Sequence, residues 1–301
     1  MHQAHWRYWS KIYKNKTGRS LERWALQHLH GKRLLAYLAK KIAKQHQVAG
    51  GVEVSSIWID GTPQAHGIAN TQKVKCELAD LLYIVEECNA KGVVFSKKAL
   101  LLQAKNTSKF KKIDSGASTA KERKLLEKLD RHQPLTIRAG VQNSSRVIGS
   151  YTLGGTNIEG LPDCSKFLLM PKNQLWIKNT NKLFPFHVTW PKHKTTSEMV
   201  TGCDLVQAAI DMAGNGSLGK DVVDPKICEW SKLVTDLENG YKNVVMNGYR
   251  NQKRVYRSGV QLFCSNFNST LQSSGDYTYH DEEHLPYISI LKVRFFNMRL
   301  D

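Results

Sequence analysis

Two apolar runs joined by a polar loop constrain the fold of this chain more than any other feature. The first is Leu78–Val85 (LADLLYIV), and the second is Lys98–Lys105 (KALLLQAK), which ends in charge. Short apolar runs bounded by turn residues are typical of strands buried in a sheet. A helix over 99–104 is the alternative, since Ala, Leu and Gln all favour helices. We favour an antiparallel hairpin in a sheet core, with Glu86–Gly92 as its turn.

Amphipathic and alternating patterns surround this hairpin. Ser20 is a good N-cap for a helix over 18–45, which Gly31 interrupts. Further helices are predicted over 119–130, 202–213 and 228–239, and strands over 52–59, 135–138, 147–151, 166–170, 175–177 and 287–296. This mixture predicts an α/β core in which helices flank a mixed sheet, with a mixed α+β C-terminal extension packed on it. We place the core at 1–145 and the extension at 146–301. No clear linker separates them, so a single domain stays open.

The charge balance favours a polyanionic partner. Lys and Arg number 44 against 26 Asp and Glu, which gives a formal net charge of +18. A charge of this sign attracts nucleic acid at long range. No apolar stretch is long enough to span a membrane, and Met1–Ser20 has no apolar signal segment, so we expect a cytoplasmic protein with no membrane partner. The six cysteines have no CxxC spacing and are predicted to be reduced, mostly buried thiols.

The ends of the two apolar runs carry a carboxylate, an amide and an ammonium. Side chains alternate along a strand, so Gln103 and Lys105 share a face, and Asp80 begins the neighbouring strand of the hairpin. A hard cation such as Mg²⁺ prefers oxygen ligands and lowers the pKa of bound water. A nearby lysine can neutralise the charge that develops on a phosphate. These residue types therefore fit metal-assisted hydrolysis of a phosphodiester.

The order of an acidic residue, a hairpin and then Gln103-Ala104-Lys105 resembles the PD-(D/E)xK, or restriction-endonuclease-like, nuclease superfamily in its QxK (Mrr-like) variant. The resemblance spans 18–140. It implies that Asp80, the side-chain oxygen of Gln103 and the backbone carbonyl of Ala104 bind Mg²⁺ or Mn²⁺, and that Lys105 is catalytic. Two departures stand out, because no Pro precedes Asp80 and Gln103 replaces the usual second acid.

The sequence leaves open which glutamate completes the metal site. In the QxK variant an upstream helix often supplies one, and Glu22 fits that position. Glu77 and Glu53 are the competing candidates. Without one of them, the site is one negative charge poorer than is usual in the superfamily.

The resemblance implies a metal-dependent endonuclease acting on DNA, although the sequence does not distinguish DNA from RNA. It also implies a role in prokaryotic antiviral defence with a helicase or another partner protein. Cutting both strands of a duplex favours a homodimer. The basic loop residues Lys109, Lys111 and Lys112 are predicted to contact the nucleic-acid backbone. Two alternatives remain open: a non-catalytic nucleic-acid-binding protein with a degenerate nuclease fold, and a scaffolding subunit with an acidic protein partner.

Overall fold

A computed structural model describes the chain over most of its length. The described residues are 19–46, 50–59, 61–141, 144–154, 161, 163–172, 186–193, 196–239, 256–264, 269–278 and 286–297. The strand predicted over 175–177 lies outside these residues.

Helices and strands alternate irregularly along the described residues. The helices are α1 Arg19–Leu29, α2 Lys32–His46, α3 Ala117–Lys128, α4 Leu205–Met212 and α5 Glu229–Asn239. The strands are β1 Gly51–Trp58, β2 Gln64–Ala69, β3 Gln72–Glu77, β4 Leu81–Asn89, β5 Val94–Thr107, β6 Leu135–Arg138, β7 Val147–Tyr151, β8 Ser165–Pro171, β9 His187–Thr189, β10 Cys203–Asp204, β11 Lys220–Asp221, β12 Tyr256–Cys264, β13 Ser269–Thr278 and β14 Ser289–Asn297. The helix predicted over 18–45 is confirmed with its break at Gly31, which separates α1 from α2. The predicted N-cap was wrong, because α1 begins at Arg19 and Ser20 lies within its first turn.

The strands form two sheets. The larger has the order β10-β9-β8-β5-β4-β14-β1-β12-β13, and β11 pairs with β5 off this path. Within it β14 runs parallel to β4 and β8 runs parallel to β5, while the other pairs are antiparallel. The smaller sheet is antiparallel and has the order β3-β2-β6-β7. The protein is therefore α/β, with a mixed sheet as predicted.

The predicted hairpin is confirmed, because β4 and β5 pair antiparallel with Leu81 opposite Leu102. Its turn is shorter than predicted. Glu86, expected in the turn, lies inside β4 with 3% of its surface exposed, and its carboxylate accepts a hydrogen bond from Arg294 Nε at 2.7 Å. The strand extends to Asn89 because ion pairs with Arg294, Lys97 and Lys292 satisfy the buried glutamate within the sheet.

Helices cover both faces of the large sheet. Apolar residues of α1, α2 and α4 pack on one face with Leu100 and Leu102 of β5. Apolar residues of α3, α5 and the small sheet pack on the other face with Ala99 and Leu101. Alternate residues of β5 thus enter different cores, which explains why the run is apolar without interruption.

Residues from both sides of position 145 hydrogen-bond within the large sheet. The C-terminal strand β14 lies between β1 and β4, and β8 lies beside β5. This pairing favours the alternative of a single domain, while the boundary at 145 stays a prediction.

The structure also bears on the expectations about membrane-spanning segments and about cysteine thiols. Among the described residues, no helix has both the length and the apolar character needed to cross a membrane. Among the cysteines that the structure describes, five are free thiols: Cys76, Cys88, Cys164, Cys203 and Cys228. Only Cys88 and Cys164 are buried and the other three are partly exposed, so the expectation of mostly buried thiols was wrong for these five.

Candidate active site

The candidate site lies where β5 ends and β4 begins. Asp80 directly precedes β4, and its backbone N–H donates to the carbonyl of Leu102 at 3.0 Å. The Oδ2 atom of Asp80 accepts two hydrogen bonds, from the backbone N–H of Ala104 at 2.8 Å and from Nε2 of Gln103 at 2.5 Å. The register of the hairpin therefore brings Asp80 and Gln103 together, as the sequence predicted.

The side-chain amide of Gln103 is buried with one polar atom unused. Only 1% of the residue is exposed, and its Nε2 donates to Asp80. Its Oε1 has no hydrogen-bond partner among the described residues. An unpaired buried acceptor costs about 1–3 kcal/mol. The cost would be recovered if this oxygen bound a cation, which is the role predicted for it.

Lys105 is held by a glutamate of the helix that follows β5. Its Nζ lies 2.7 Å from Oε2 of Glu122, of which 2% is exposed. The other carboxylate oxygen of Glu122 accepts a hydrogen bond from Ser118 Oγ at 2.6 Å. Burial lowers the pKa of Lys105, but the carboxylates of Asp80, Glu22 and Glu122 outweigh it and raise the pKa above its usual value. Lys105 therefore remains an ammonium at neutral pH.

Glu22 reaches the site from the first turn of α1. Its Oε2 accepts a hydrogen bond from the backbone N–H of Asn106 at 3.3 Å. Burial raises the pKa of Glu22 above its usual value. The Lys105 ammonium and the Asn106 N–H lower this pKa in part, whereas Glu122 and Glu77 raise it further. The predicted upstream glutamate thus lies within electrostatic reach of the lysine.

Glu77 adds a further carboxylate at the end of β3. Burial raises the pKa of Asp80 well above its usual value, Glu22 and Glu77 raise it further, and Lys105 and the Ala104 N–H oppose the shift. Asp80, Glu22 and Glu122 thus surround one ammonium, and Glu77 adds negative charge beside Asp80 and Glu22. In a chain of net charge +18, this local excess of negative charge favours a bound cation.

The arrangement does not preform a metal site built from charged ligands alone. Among the described residues, no three His, Cys, Asp or Glu side chains converge closely enough to hold a metal ion. The groups nearest to Asp80 are instead the Gln103 amide and the Ala104 backbone. This oxygen-rich set fits a hard cation such as Mg²⁺ or Mn²⁺, which keeps several water ligands and needs few protein ligands. The carbonyl of Ala104 as a ligand stays a prediction.

Glu53, the third candidate glutamate, lies elsewhere. In β1 it is in register with Arg294 of β14, which is in turn in register with Glu86 of β4. Its Oε2 is 3.8 Å from Arg294 Nη1. Asp80 precedes the opposite end of β4, six residues from Glu86, so Glu53 belongs to a separate ion-pair cluster with Arg294 and Glu86.

The predicted basic residues lie in the loop that connects β5 to α3. Lys109 and Lys112 are exposed. The Nζ of Lys111 donates to Thr201 Oγ1 at 2.7 Å, and the carbonyl of Lys111 accepts from the N–H of Met199. The loop is thus anchored beside the site end of β5, with two of its three ammonium groups facing solvent.

Sequence reasoning missed Glu122 as a site residue, because charged residues of an amphipathic helix are normally assigned to the exposed face. A signal was present, since Glu122 precedes the buried Leu125 and Leu126 by three and four positions. That spacing places Glu122 on the apolar face of α3. Asn106 was also missed; neither polar atom of its side chain has a hydrogen-bond partner among the described residues.

Comparison of the chain with protein-family models, with curated proteins and with solved structures finds no match. The interpretation of the site therefore depends on its residues and their geometry.

Proposed function

We propose that the protein is a metal-dependent nuclease that hydrolyses DNA phosphodiester bonds, with a restriction-endonuclease-like core. The observation that carries the proposal is the pairing of Asp80 with Gln103. The buried carboxamide of Gln103 donates its N–H to the Asp80 carboxylate, while its own oxygen has no partner among the described residues. The carboxylate can supply a charged oxygen and the carboxamide a neutral one to the same cation. Lys105 follows two residues later on the same face of β5.

In this proposal each residue has a distinct role. Asp80, the Gln103 Oε1 and the Ala104 carbonyl would hold Mg²⁺ or Mn²⁺, and Glu22 or Glu77 would supply further negative charge. The bound ion supplies Lewis acidity and lowers the pKa of its water. Lys105, kept protonated by the surrounding carboxylates, would stabilise the negative charge that develops on the phosphate.

The charges of the chain support a polyanionic substrate that needs a cation at the site. The net charge of +18 and the exposed Lys109 and Lys112 attract phosphates. The carboxylates around Lys105 repel the same phosphates. A divalent cation resolves this conflict, so we expect both tight substrate binding near Asp80 and cleavage to require metal.

The biological setting is proposed on the resemblance of the sequence alone. It includes an antiviral defence role, a helicase or another partner protein, and a homodimer that cuts both strands. DNA is preferred to RNA on the same ground, so both substrates need to be tested.

A non-catalytic nucleic-acid-binding protein with a degenerate nuclease fold is the second candidate. Two observations favour it: an amide stands at position 103 where a second acid is usual, and the described residues contain no group of three charged or thiol ligands. Such a protein would bind DNA with strong salt dependence and leave it intact.

The experiment incubates the full chain with supercoiled plasmid and, in parallel, with RNA, in EDTA, Mg²⁺ or Mn²⁺. We expect cleavage of DNA in metal and intact DNA in EDTA. Salt-sensitive binding without cleavage would favour the second candidate. Cleavage that persists in EDTA would contradict the role given to the metal.

A further inference from the structure

Four lysines lie on the terminal strand of the small sheet and on the helix that packs against it. We name the surface the β3–α3 edge and define it by Lys73 and Lys75 of β3 and Lys121 and Lys124 of α3. The strand β3 is terminal in its sheet, and α3 packs against it. Lys73, Lys75 and Lys121 are exposed, and the Nζ of Lys124 donates to Oε1 of Gln72 at 2.5 Å, which joins the helix to the strand.

The surroundings of these lysines are poor in exposed acid. Glu77 is the one acidic residue in the four strands of the small sheet. The two glutamates of α3 are buried, where Glu122 pairs with Lys105 and Glu127 pairs with Arg123. The β3–α3 edge therefore presents positive charge to solvent.

This positive surface runs directly into the candidate site. Lys75 stands two residues before Glu77, so both side chains leave β3 on the same face. Lys121 immediately precedes Glu122, the partner of Lys105.

We infer that the β3–α3 edge binds the sugar-phosphate backbone of the nucleic acid that enters the site. It is a second contact surface, separate from the loop that carries Lys109 and Lys112. The inference depends on the proposed function only in taking the substrate to be nucleic acid. Contacts of this kind hold the backbone and fix its position without reading the base sequence.

A nucleic acid fits this edge better than an anionic membrane does. Peripheral membrane binding normally combines basic residues with apolar side chains that insert between lipids. Between Lys73 and Lys75 the strand presents Val74, which is buried in the core. The edge also leads to a cluster of carboxylates, where a phosphodiester can be bridged by a divalent cation.

The test compares two triple variants with the same loss of charge. One is Lys73→Ala/Lys75→Ala/Lys121→Ala, and the control is Lys40→Ala/Lys44→Ala/Lys226→Ala, whose three lysines are equally exposed elsewhere. The contacts of the edge lysines with phosphates need no metal, unlike those near Asp80. Binding of a short fluorescein-labelled DNA duplex is therefore measured in EDTA, where no cleavage is expected, over a series of salt concentrations. The logarithm of the binding constant K falls as the logarithm of the salt concentration rises, and each lost phosphate contact makes this slope shallower by about 0.9. We expect the slope to fall by about two to three units in the first variant and to change little in the control.

Three results would overturn the inference: an unchanged slope in the first variant, equal changes in both variants, or wild-type binding to vesicles of anionic phospholipid without binding to the duplex. Circular dichroism of both variants establishes that they fold. Cleavage by the same proteins in Mg²⁺ separates this inference from the proposed function. A wild type that binds through the edge but never cuts contradicts the nuclease and supports the edge, whereas cutting with an unchanged slope contradicts only the edge.

Discussion

The ammonium of Lys105 lies 2.7 Å from Oε2 of Glu122, a buried glutamate on the helix that follows it in the chain. Ser118 fixes the second oxygen of that carboxylate. The position of Lys105 therefore depends on α3 as well as on β5. We interpret Glu122 as a positioning residue for the lysine.

Replacing Glu122 with Gln should lower the rate of DNA cleavage by about tenfold, with little change in KM. The reason is that the ion pair with the buried Glu122 carboxylate no longer holds the Lys105 ammonium in place. Steady-state cleavage kinetics in Mg²⁺ measure the effect. Glu127→Gln is the matched control, because Glu127 is buried on the same helix but pairs with Arg123. Equal loss of rate in both variants would make Glu122 merely structural.

Asp80→Asn should abolish cleavage and yet stabilise the metal-free protein at pH 8. The folded state raises the pKa of Asp80, chiefly by burial. The folded protein therefore loses stability as the pH rises above 3.8, the pKa of Asp80 in the unfolded chain. The reason is that Asp80 releases its proton at a lower pH in the unfolded chain than in the folded one. Urea unfolding without divalent cations should show the variant more stable than wild type at pH 8 and no such gain at pH 3. A variant that is less stable at pH 8 would contradict this account.

Gln103→Glu should increase affinity for Mn²⁺ by roughly tenfold, because affinity rises with the number of charged ligands. Without metal the variant should be less stable, since a second carboxylate replaces the amide that donates to Asp80. Calorimetric titration with Mn²⁺ measures the affinity, and Tm with and without Mn²⁺ measures the coupled stability. Gln103→Ala is the control and should weaken binding. Equal affinity in all three proteins would show that position 103 does not contact the metal.

The protein should lose stability in mild acid through His30. This residue is 3% exposed, its ring nitrogens have no hydrogen-bond partner among the described residues, and its ring lies 5.3 Å from that of Trp58. Burial lowers its pKa from 6.5 to about 3. Between these values the unfolded chain takes up a proton that the folded chain does not, which costs about 1.4 kcal/mol for each pH unit.

Urea unfolding at pH 7 and pH 5 tests this contribution by comparing wild type with His30→Leu. The wild type should lose more stability than the variant does on going to pH 5. Parallel losses in the two proteins would mean that His30 is protonated in the folded state.

The parts of the fold that follow from local pattern were predictable. The apolar runs around Asp80 and Lys105 predicted the hairpin, and its register then determined which side chains meet. The strands β2 and β3 were missed because each is short and has a single β-branched residue, Ile68 in QAHGIA and Val74 in QKVKCE. They are stabilised by the core beneath them. The insertion of β14 between β1 and β4 depends on contacts between distant segments, which no local pattern encodes.

Local pattern likewise predicted some residues of the candidate site, whereas others depend on contacts between distant segments. Asp80, Gln103 and Lys105 are close together because alternation along paired strands brings them there. The choice among the glutamates depends on tertiary packing. That packing brings Glu22 to Asn106, brings Glu122 to Lys105, and pairs Glu53 with Arg294.

Cleavage of plasmid DNA in Mg²⁺ by wild type, Asp80→Ala and Lys105→Ala tests the central claim most directly. Asp221→Ala and Lys44→Ala are matched controls, because they remove exposed charges of the same sign outside the site. We expect wild type and both controls to cut, and both site variants to lose at least about a hundredfold in rate. Cleavage that survives in both site variants would contradict the account, because the active site would then lie elsewhere in the chain.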